Sequence, residues 1–499
     1  GWNKHTFRAR VNNKYVSAVN SLLIASQDKV EGWYVEELFN LFDLGNNEYA
    51  LKTAKNFVDK YITVYNDAKG TLWEDKFSVE SDAEKFVMEV VTDGIAEAVK
   101  AASSSDVAVV FVGNNPNING KEDQDRPDIT LPPAQEKLIK EVYKANPNTV
   151  VVVVASYPMA INWAEENVPA ILYSSHGGQE EGNAIADVLF GDYNPAGRTN
   201  ATWFSDSSQL PPIEDYDIRK GKRTYLYFDG KPLYPFGHGL TYTTFAYSNL
   251  KISPRRIKAD GQAVISVDVK NTGTRKSDEV VQLYVRDIRS RVQRPLKELK
   301  GFARITLAPG ESKTVSFTLP ASELAFWDVT RNRYCIEKGD FHVMIGRSSS
   351  DIKLTGLLYV DGEIIPPRDL TIETRAENYD DYKGVIITNC REGGNCVGGI
   401  NDGEWLMFDD VDFGAGVTGF EARVASGVKG EYGGNIEIRL DSPEGRLVGT
   451  CKVPKTGGWQ SWATATCAVK RVKGVRKVYL KFTGESGELF NLSWFKFNR

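Results

Sequence analysis

The feature that most limits the fold is a change of texture near residue 90 and another near residue 245. Between those points the apolar runs VAVVFVG, VVVVVAS and VPAILYSS alternate with segments of helical period, GIAEAVKAASSSD, PPAQEKLIKEVYKANPN and GQEEGNAIADVLFG. Unbroken Val and Ile runs belong to strands buried on both faces, so crossover helices between them predict a parallel, doubly covered sheet. Ligands of such sheets collect at the carboxyl ends of the strands. The loop that follows VAVVFVG, GNNPNINGKEDQDRPDITLP, is the chemically richest segment of the chain.

Both flanks read as all-β. Residues 1–90 carry short alternating runs separated by Asn, Asp and Gly, and two stretches there look alike, NNKYVSAVNSLLIASQDKVEGWYVEELFNLF and VDKYITVYNDAKGTLWEDKFSVESDAEKFVMEV. In residues 246–360, QAVISVDVKNTG, DEVVQLYVRD, KTVSFTLP and FHVMIG alternate with turn signals, the pattern of an immunoglobulin-like or fibronectin-like sandwich. Pro366 and Pro367 mark residues 361–370 as a stiff linker. Residues 371–499 form a further β unit holding Trp405, Trp459, Trp462 and Trp494, four of the chain's ten tryptophans. Core packing explains that concentration only in part. With 499 residues there is room for about three or four domains.

Charge and composition exclude several classes. The 61 Lys and Arg against 66 Asp and Glu give a net charge of -5, with no basic block to neutralise a phosphate backbone, so nucleic acid is not an expected partner. No run reaches the roughly 18 apolar residues of a membrane span. His5, His176, His238 and His342 are scattered without metal-ligand spacing, so no metal chemistry and no cofactor are expected. Cys335 stands alone. Cys390, Cys396, Cys451 and Cys467 either close two local loops in an oxidising compartment or remain unpaired buried thiols. GWNKHTFRAR has neither an initiating Met nor an apolar leader, and reads as a mature or cut end. Gln179, Glu180 and Glu181 open a helix and suit its dipole, and the spaced glycines of PFGHGLTY read as a tight connection.

Four motifs in order, GKEDQDRPDITLPPAQEKLI, SHGGQEEGNAIADVLFGDYNPAGR, PLYPFGHGLTYTTF and VKNTGTRKSDEVVQLYV with RPLKELKGF, make residues 90–360 resemble the C-terminal half of glycoside hydrolase family 3. The repeat in residues 1–90 resembles part of a fascin-like β-trefoil, with two of three units present. The resemblance implies a multidomain α/β plus all-β chain: a partial β-trefoil (1–90), an α/β sandwich (91–245) and a fibronectin III-like β-sandwich (246–360). It also implies a retaining, exo-acting β-glucosidase or β-xylosidase, secreted and acting on plant cell-wall β-glycans. No stretch matches the family's (β/α)8 barrel or its nucleophile motif, so a second polypeptide carrying them is the expected partner. In the family the acid/base Glu lies a few residues before an Arg. Glu122 with Arg126 fits, and Asp123 is the runner-up. The alternative function is a non-catalytic carbohydrate-binding scaffold derived from such a hydrolase.

RAENYDDYKGV, VGGINDGEWLMFDDVDF, the stretch ending in GGWQSW, and GELFNLSWFKF make residues 371–499 resemble carbohydrate-binding module family 6, a β-jelly roll. The resemblance implies stacking of β-linked oligosaccharide or polysaccharide on Trp459 or Trp462, oriented by Asn491. The family's cleft has a Tyr where this chain has Gly399. Its structural calcium loses acidic ligands at Arg375 and Ser493, and Arg375 is expected to take the ion's place by pairing with Glu377 or a nearby carbonyl.

Overall fold

The computed structural model describes residues 4–30, 35–54, 60–64, 71–74, 79–115, 126, 128–430 and 432–499. The first unit consists of two antiparallel sheets. One orders the strands Lys4–His5, Phe39–Gly45, Glu48–Thr53 and Phe86–Val87; the other orders Tyr15–Val19, Leu22–Gln27, Leu72–Glu74 and Ile62–Val64. Ala18, Phe39, Leu51 and Ile62 bury themselves in the core that the two sheets share. The first hairpin turns on Asn20 and Ser21, at φ 48° and 68°, the two left-handed positions that a two-residue loop requires.

In the second unit the strands Ala170–Ser174, Thr149–Val154 and Ala108–Gly113 lie parallel in that order. Helices Gly94–Ser103, Pro133–Ala145 and Asn162–Asn167 cover one face, where Ala102, Ile139, Val142 and Ala164 pack with Val110, Val112, Val151 and Val153. The first helix starts where the Asp93 carboxylate accepts the Ile95 and Ala96 N–H groups at 3.0 and 3.2 Å. The second face is covered at its middle strand, where Val152 beside Phe111 is wholly buried, and open along one edge. Side chains alternate along a strand, so Val109 and Phe111 point away from those helices, and they are 42% and 56% exposed on the edge strand.

PFGHGLTY leads into the sandwich as a tight connection. At Gly237, φ 79°, a Cβ would lie 2.1 Å from the Gln282 Oε1, which leaves room for glycine alone. One sheet of the sandwich orders Phe245–Ser253, Gln262–Asn271 and Ser312–Pro320. The other orders Arg256–Lys258, Ile352–Asp361, Gly339–Gly346, Ser277–Asp287 and Glu298–Leu307. In QAVISVDVKN alternate residues Ala263, Ile265, Val267 and Val269 are buried, as the period of two predicts. Glu279 is wholly buried and pairs with Arg198 of the α/β unit at 3.0 Å and with Arg347 at 3.5 Å, joining the two units.

The linker is pinned at both ends. Glu363 pairs with Arg331 and Arg333 of the sandwich at 2.9 and 2.6 Å, while the buried Arg368 donates to Asn378 O at 2.8 Å and to Asp380 at 2.7 Å in the last unit. That unit is a two-sheet sandwich. One sheet orders Ile386–Asn389, Asn395–Gly398, Asn491–Asn498, Val417–Ala425 and Trp462–Val472, with Thr374–Arg375 paired to Asn491–Asn498. The other orders Asp381–Lys383, Trp405–Asp412, Val475–Thr483, Tyr432–Leu440 and Arg446–Pro454. Its aromatic core is phenylalanine: Phe408, Phe420, Phe482, Phe490, Phe495 and Phe497 are buried, whereas all four tryptophans keep some surface. Lys220 of the α/β unit reaches Asp381 at 3.0 Å and lies 4.3 Å over the Tyr382 ring, so the unit also touches the body away from the linker.

Candidate functional site

Two places carry the chemistry anticipated from the sequence. The first is the carboxyl edge of the parallel sheet. The Gln135 side chain accepts the Gly113 N–H at 2.9 Å and donates to its carbonyl at 3.0 Å, which fixes the point where the rich loop leaves its strand. The loop's return is fixed at Arg126, whose guanidinium donates to Pro158 O at 2.8 Å and lies 3.8 Å over the Tyr157 ring. Tyr157 and Pro158 follow the middle strand, so both flanks meet at the edge where ligands of such sheets bind. Glu122 and Asp123 lie outside the described residues. The Glu181 carboxylate accepts the Ser174 hydroxyl at 3.2 Å and Glu180 accepts from Asn183 at 2.6 Å, local bonds that suit the helix-opening role expected for them.

The second place is a groove of about 340 Å³ in the last unit, lined by Trp459 with Gly427, Lys429, Tyr432, Glu485 and Glu488 among others. Trp459 is 37% exposed, and its indole lies against the backbone of Gly427, where a Cβ would come within 2.8 Å of the ring. The Trp459 loop is held from several sides. Asn491 donates to Trp459 O at 2.7 Å, Thr456 Oγ1 accepts the Ser426 N–H at 2.7 Å, and Gln460 bridges Asn389 O and the Arg391 N–H, each at 2.9 Å. An aromatic platform held this way loses little freedom when a sugar arrives.

The fold therefore brings Trp459 and Asn491 together, but not Trp462 into the groove: Trp462 starts a strand and donates to Gln460 at 3.3 Å. Asn491 is only 5% exposed and one of its amide N–H groups is taken by Trp459 O, so it supports the ring's loop from beneath. At position 399 the backbone has φ 61° and a Cβ would lie 3.0 Å from Ile386, while Glu488 accepts the Gly399 N–H at 3.1 Å. A tyrosine wall at that position would need both the backbone and Ile386 to move. Sequence reasoning missed Gly427, Tyr432, Glu485 and Glu488. They come from loops far apart in the chain, and only the many Gly and Ser residues around them hinted at close loop packing.

The calcium implied by the module family fails a test on these residues. Arg375 donates to Gly393 O at 2.7 Å and to Ser493 Oγ at 3.1 Å, and it lies 4.0 Å from Glu377. A guanidinium thus already engages the carbonyl, hydroxyl and carboxylate oxygens that a hard cation would require, so the residues do not fit calcium. Burial pushes the Glu377 carboxyl up, against the pull of Arg375. Among the described residues no cluster of His, Cys, Asp and Glu could hold a metal, and no helix is long and apolar enough to cross a membrane.

Comparison with known proteins agrees with this geometry. Residues 7–242 match the glycosyl hydrolase family 3 C-terminal domain, 279–349 a fibronectin type III-like domain, and 375–499 the family 6 carbohydrate-binding module. A β-xylosidase of Formosa agariphila is 42% identical over 270 residues, covering 53% of this chain and 37% of that protein. Thermostable β-glucosidase B of Acetivibrio thermocellus is 40% identical over 295 residues, covering 57% of this chain and 39% of its own. The crystal structure of a family 3 β-glucosidase from Bifidobacterium adolescentis superposes with a TM-score of 0.51 at 31% identity, over 56% of this chain and 43% of that one. The chain thus spans less than half the length of these relatives. It carries, in this order, the C-terminal domain of glycosyl hydrolase family 3, a fibronectin type III-like domain and a family 6 carbohydrate-binding module.

Proposed function

We propose that this chain is one part of a retaining, exo-acting β-glycosidase of β-glucosidase or β-xylosidase type, exported from the cell and directed at plant cell-wall β-glycans. The observation that carries the reading is the clamp on the rich loop: Gln135 on Gly113 at one flank and Arg126 on Pro158 at the other, both at the carboxyl edge of the sheet. Glu122, four residues before Arg126, is the general acid/base. It protonates the departing glycosidic oxygen and then takes a proton from the water that releases the sugar. Retaining chemistry needs a nucleophilic carboxylate about 5 Å away, and we assign this to an Asp of a (β/α)8 barrel on a second polypeptide. The exposed apolar edge strand at Val109 and Phe111 supports a partner, because strands of parallel sheets are covered on both faces. The module holds the glycan on Trp459, with Asn491 orienting it.

The same reading divides the chain into part of a fascin-like trefoil (1–90), an α/β sandwich (91–245), a fibronectin III-like domain (246–360), a linker (361–370) and a β-jelly roll (371–499). Separate hydrophobic cores support that division. The test is Glu122→Ala in the complex with the barrel polypeptide. Turnover of substrates with poor leaving groups is expected to fall by about 10²–10⁴-fold and to respond to added azide; full activity in the variant overturns the assignment.

A further inference from the structure

The four cysteines of the module fall into two contacts that the glycan reading does not use. Cys390 and Cys396 flank one hairpin turn. Thr388 pairs with Cys396, and the turn closes through Cys390 N to Gly394 O and Gly393 N to Cys390 O, both at 3.0 Å. Both thiols are buried beside this turn, the Cys390 sulfur 3.7 Å from Ser493 Oγ and the Cys396 sulfur 3.6 Å from Asn389 O. Cys451 and Cys467 lie on different sheets, Cys451 paired with Ile436 and Cys467 with Phe420. The two sheet edges close on each other there: a Cβ at Gly449 would lie 3.1 Å from Ala468 O and 3.2 Å from Val469 Cγ2. Cys451 lies two residues after Gly449 and Cys467 one before Ala468, so the same close approach brings the two thiols into one neighbourhood, Cys451 buried and Cys467 half-buried.

Each pair brackets the support of Trp459. The segment 451–467 contains the whole Trp459 loop, and the 390–396 turn supplies the Arg391 N–H that, with Asn389 O, holds Gln460. We propose that Cys390–Cys396 and Cys451–Cys467 are sites of disulfide formation, which cross-link the module around the Trp459 loop when the chain meets a low-molecular-weight disulfide. In the wider pair Cys467 is the more accessible sulfur. Its thiolate attacks one sulfur of the oxidant, forming a mixed disulfide and releasing one small thiol. Cys451 then loses its proton, attacks the Cys467 sulfur and releases the second small thiol. Two protein thiols are oxidised for each small disulfide reduced. Cys335 stays out, since it is buried in the sandwich with the Arg331 guanidinium 2.8 Å from its sulfur and no other cysteine in the same domain.

The test is a thiol count on the full chain in denaturant, after incubation with oxidised glutathione or with dithiothreitol, together with peptide mapping without reduction. Reduced protein is expected to show all five thiols. Oxidised protein is expected to show one, at Cys335, with 390–396 and 451–467 peptides joined. Closing these loops restricts the unfolded chain, so oxidation raises the melting temperature of the module by roughly 10 °C, reversibly with dithiothreitol. In Cys467→Ala, two thiols survive oxidation and most of that gain disappears. Five thiols after oxidation, glutathione adducts on single cysteines, or crossed pairs between the two sites overturn the proposal. The count does not depend on glycan binding, so it stands or falls apart from the functional reading.

Discussion

The two candidate sites contrast in how completely the chain builds them. At the sheet edge it supplies clamps: Gln135 and Arg126 pin the two flanks of a loop, and the chemistry assigned to that loop needs a second carboxylate from elsewhere. In the module, a groove with an exposed ring and the bonds that support its loop lie within one closed sandwich. A groove between loops of one β-sandwich is completed by local packing, whereas an edge of a parallel sheet is only one wall of an active site. The linker and Lys220 hold the two regions together.

Four substitutions test how independent the regions are. Glu279→Ala removes the one carboxylate shared by Arg198 and Arg347 and leaves buried cations unpaired, at a cost of about 3–5 kcal/mol. Calorimetry is expected to show the transition of the sandwich lowered and that of the module unmoved; a shift of both together would mean that the regions unfold as one. Arg375→Ala removes hydrogen bonds to Gly393 and Ser493 and is expected to cost the module about 2 kcal/mol, while chelation of the unaltered chain leaves its melting temperature unchanged. A large drop on chelation would instead place an ion where the guanidinium sits. Trp459→Ala is expected to weaken retention on xylan or β-glucan by roughly tenfold, with Trp462→Ala much milder, as followed by affinity electrophoresis. Equal losses in the two variants would remove the distinction between groove ring and strand ring.

Much of this was legible in the residues. The Val runs at 108–113 and 149–154 became parallel strands, and QAVISVDVKN became a half-buried strand in the predicted phase, because side-chain period depends only on local geometry. The glycines of PFGHGLTY made the tight connection their spacing suggested. The exposed edge of the parallel sheet was not legible: Val109 and Phe111 read as buried because their neighbours are apolar, and burial depends on what other elements cover. The choice between Trp459 and Trp462 was closed to sequence as well, since only two residues separate them and the packing of Gly427 against one ring distinguishes their surroundings.

By itself the sequence determined the order of the units, the strand and helix periods, and the residue types able to do acid/base chemistry or stack on sugars, because these follow from local pattern. Tertiary structure alone decided which ring faces a groove, and which carbonyl and hydroxyl the Arg375 guanidinium engages. Each of these turns on residues tens of positions apart, Gly427 with Trp459 or Arg375 with Ser493, brought within a few ångströms by strand pairing and by the packing of the loops beside it.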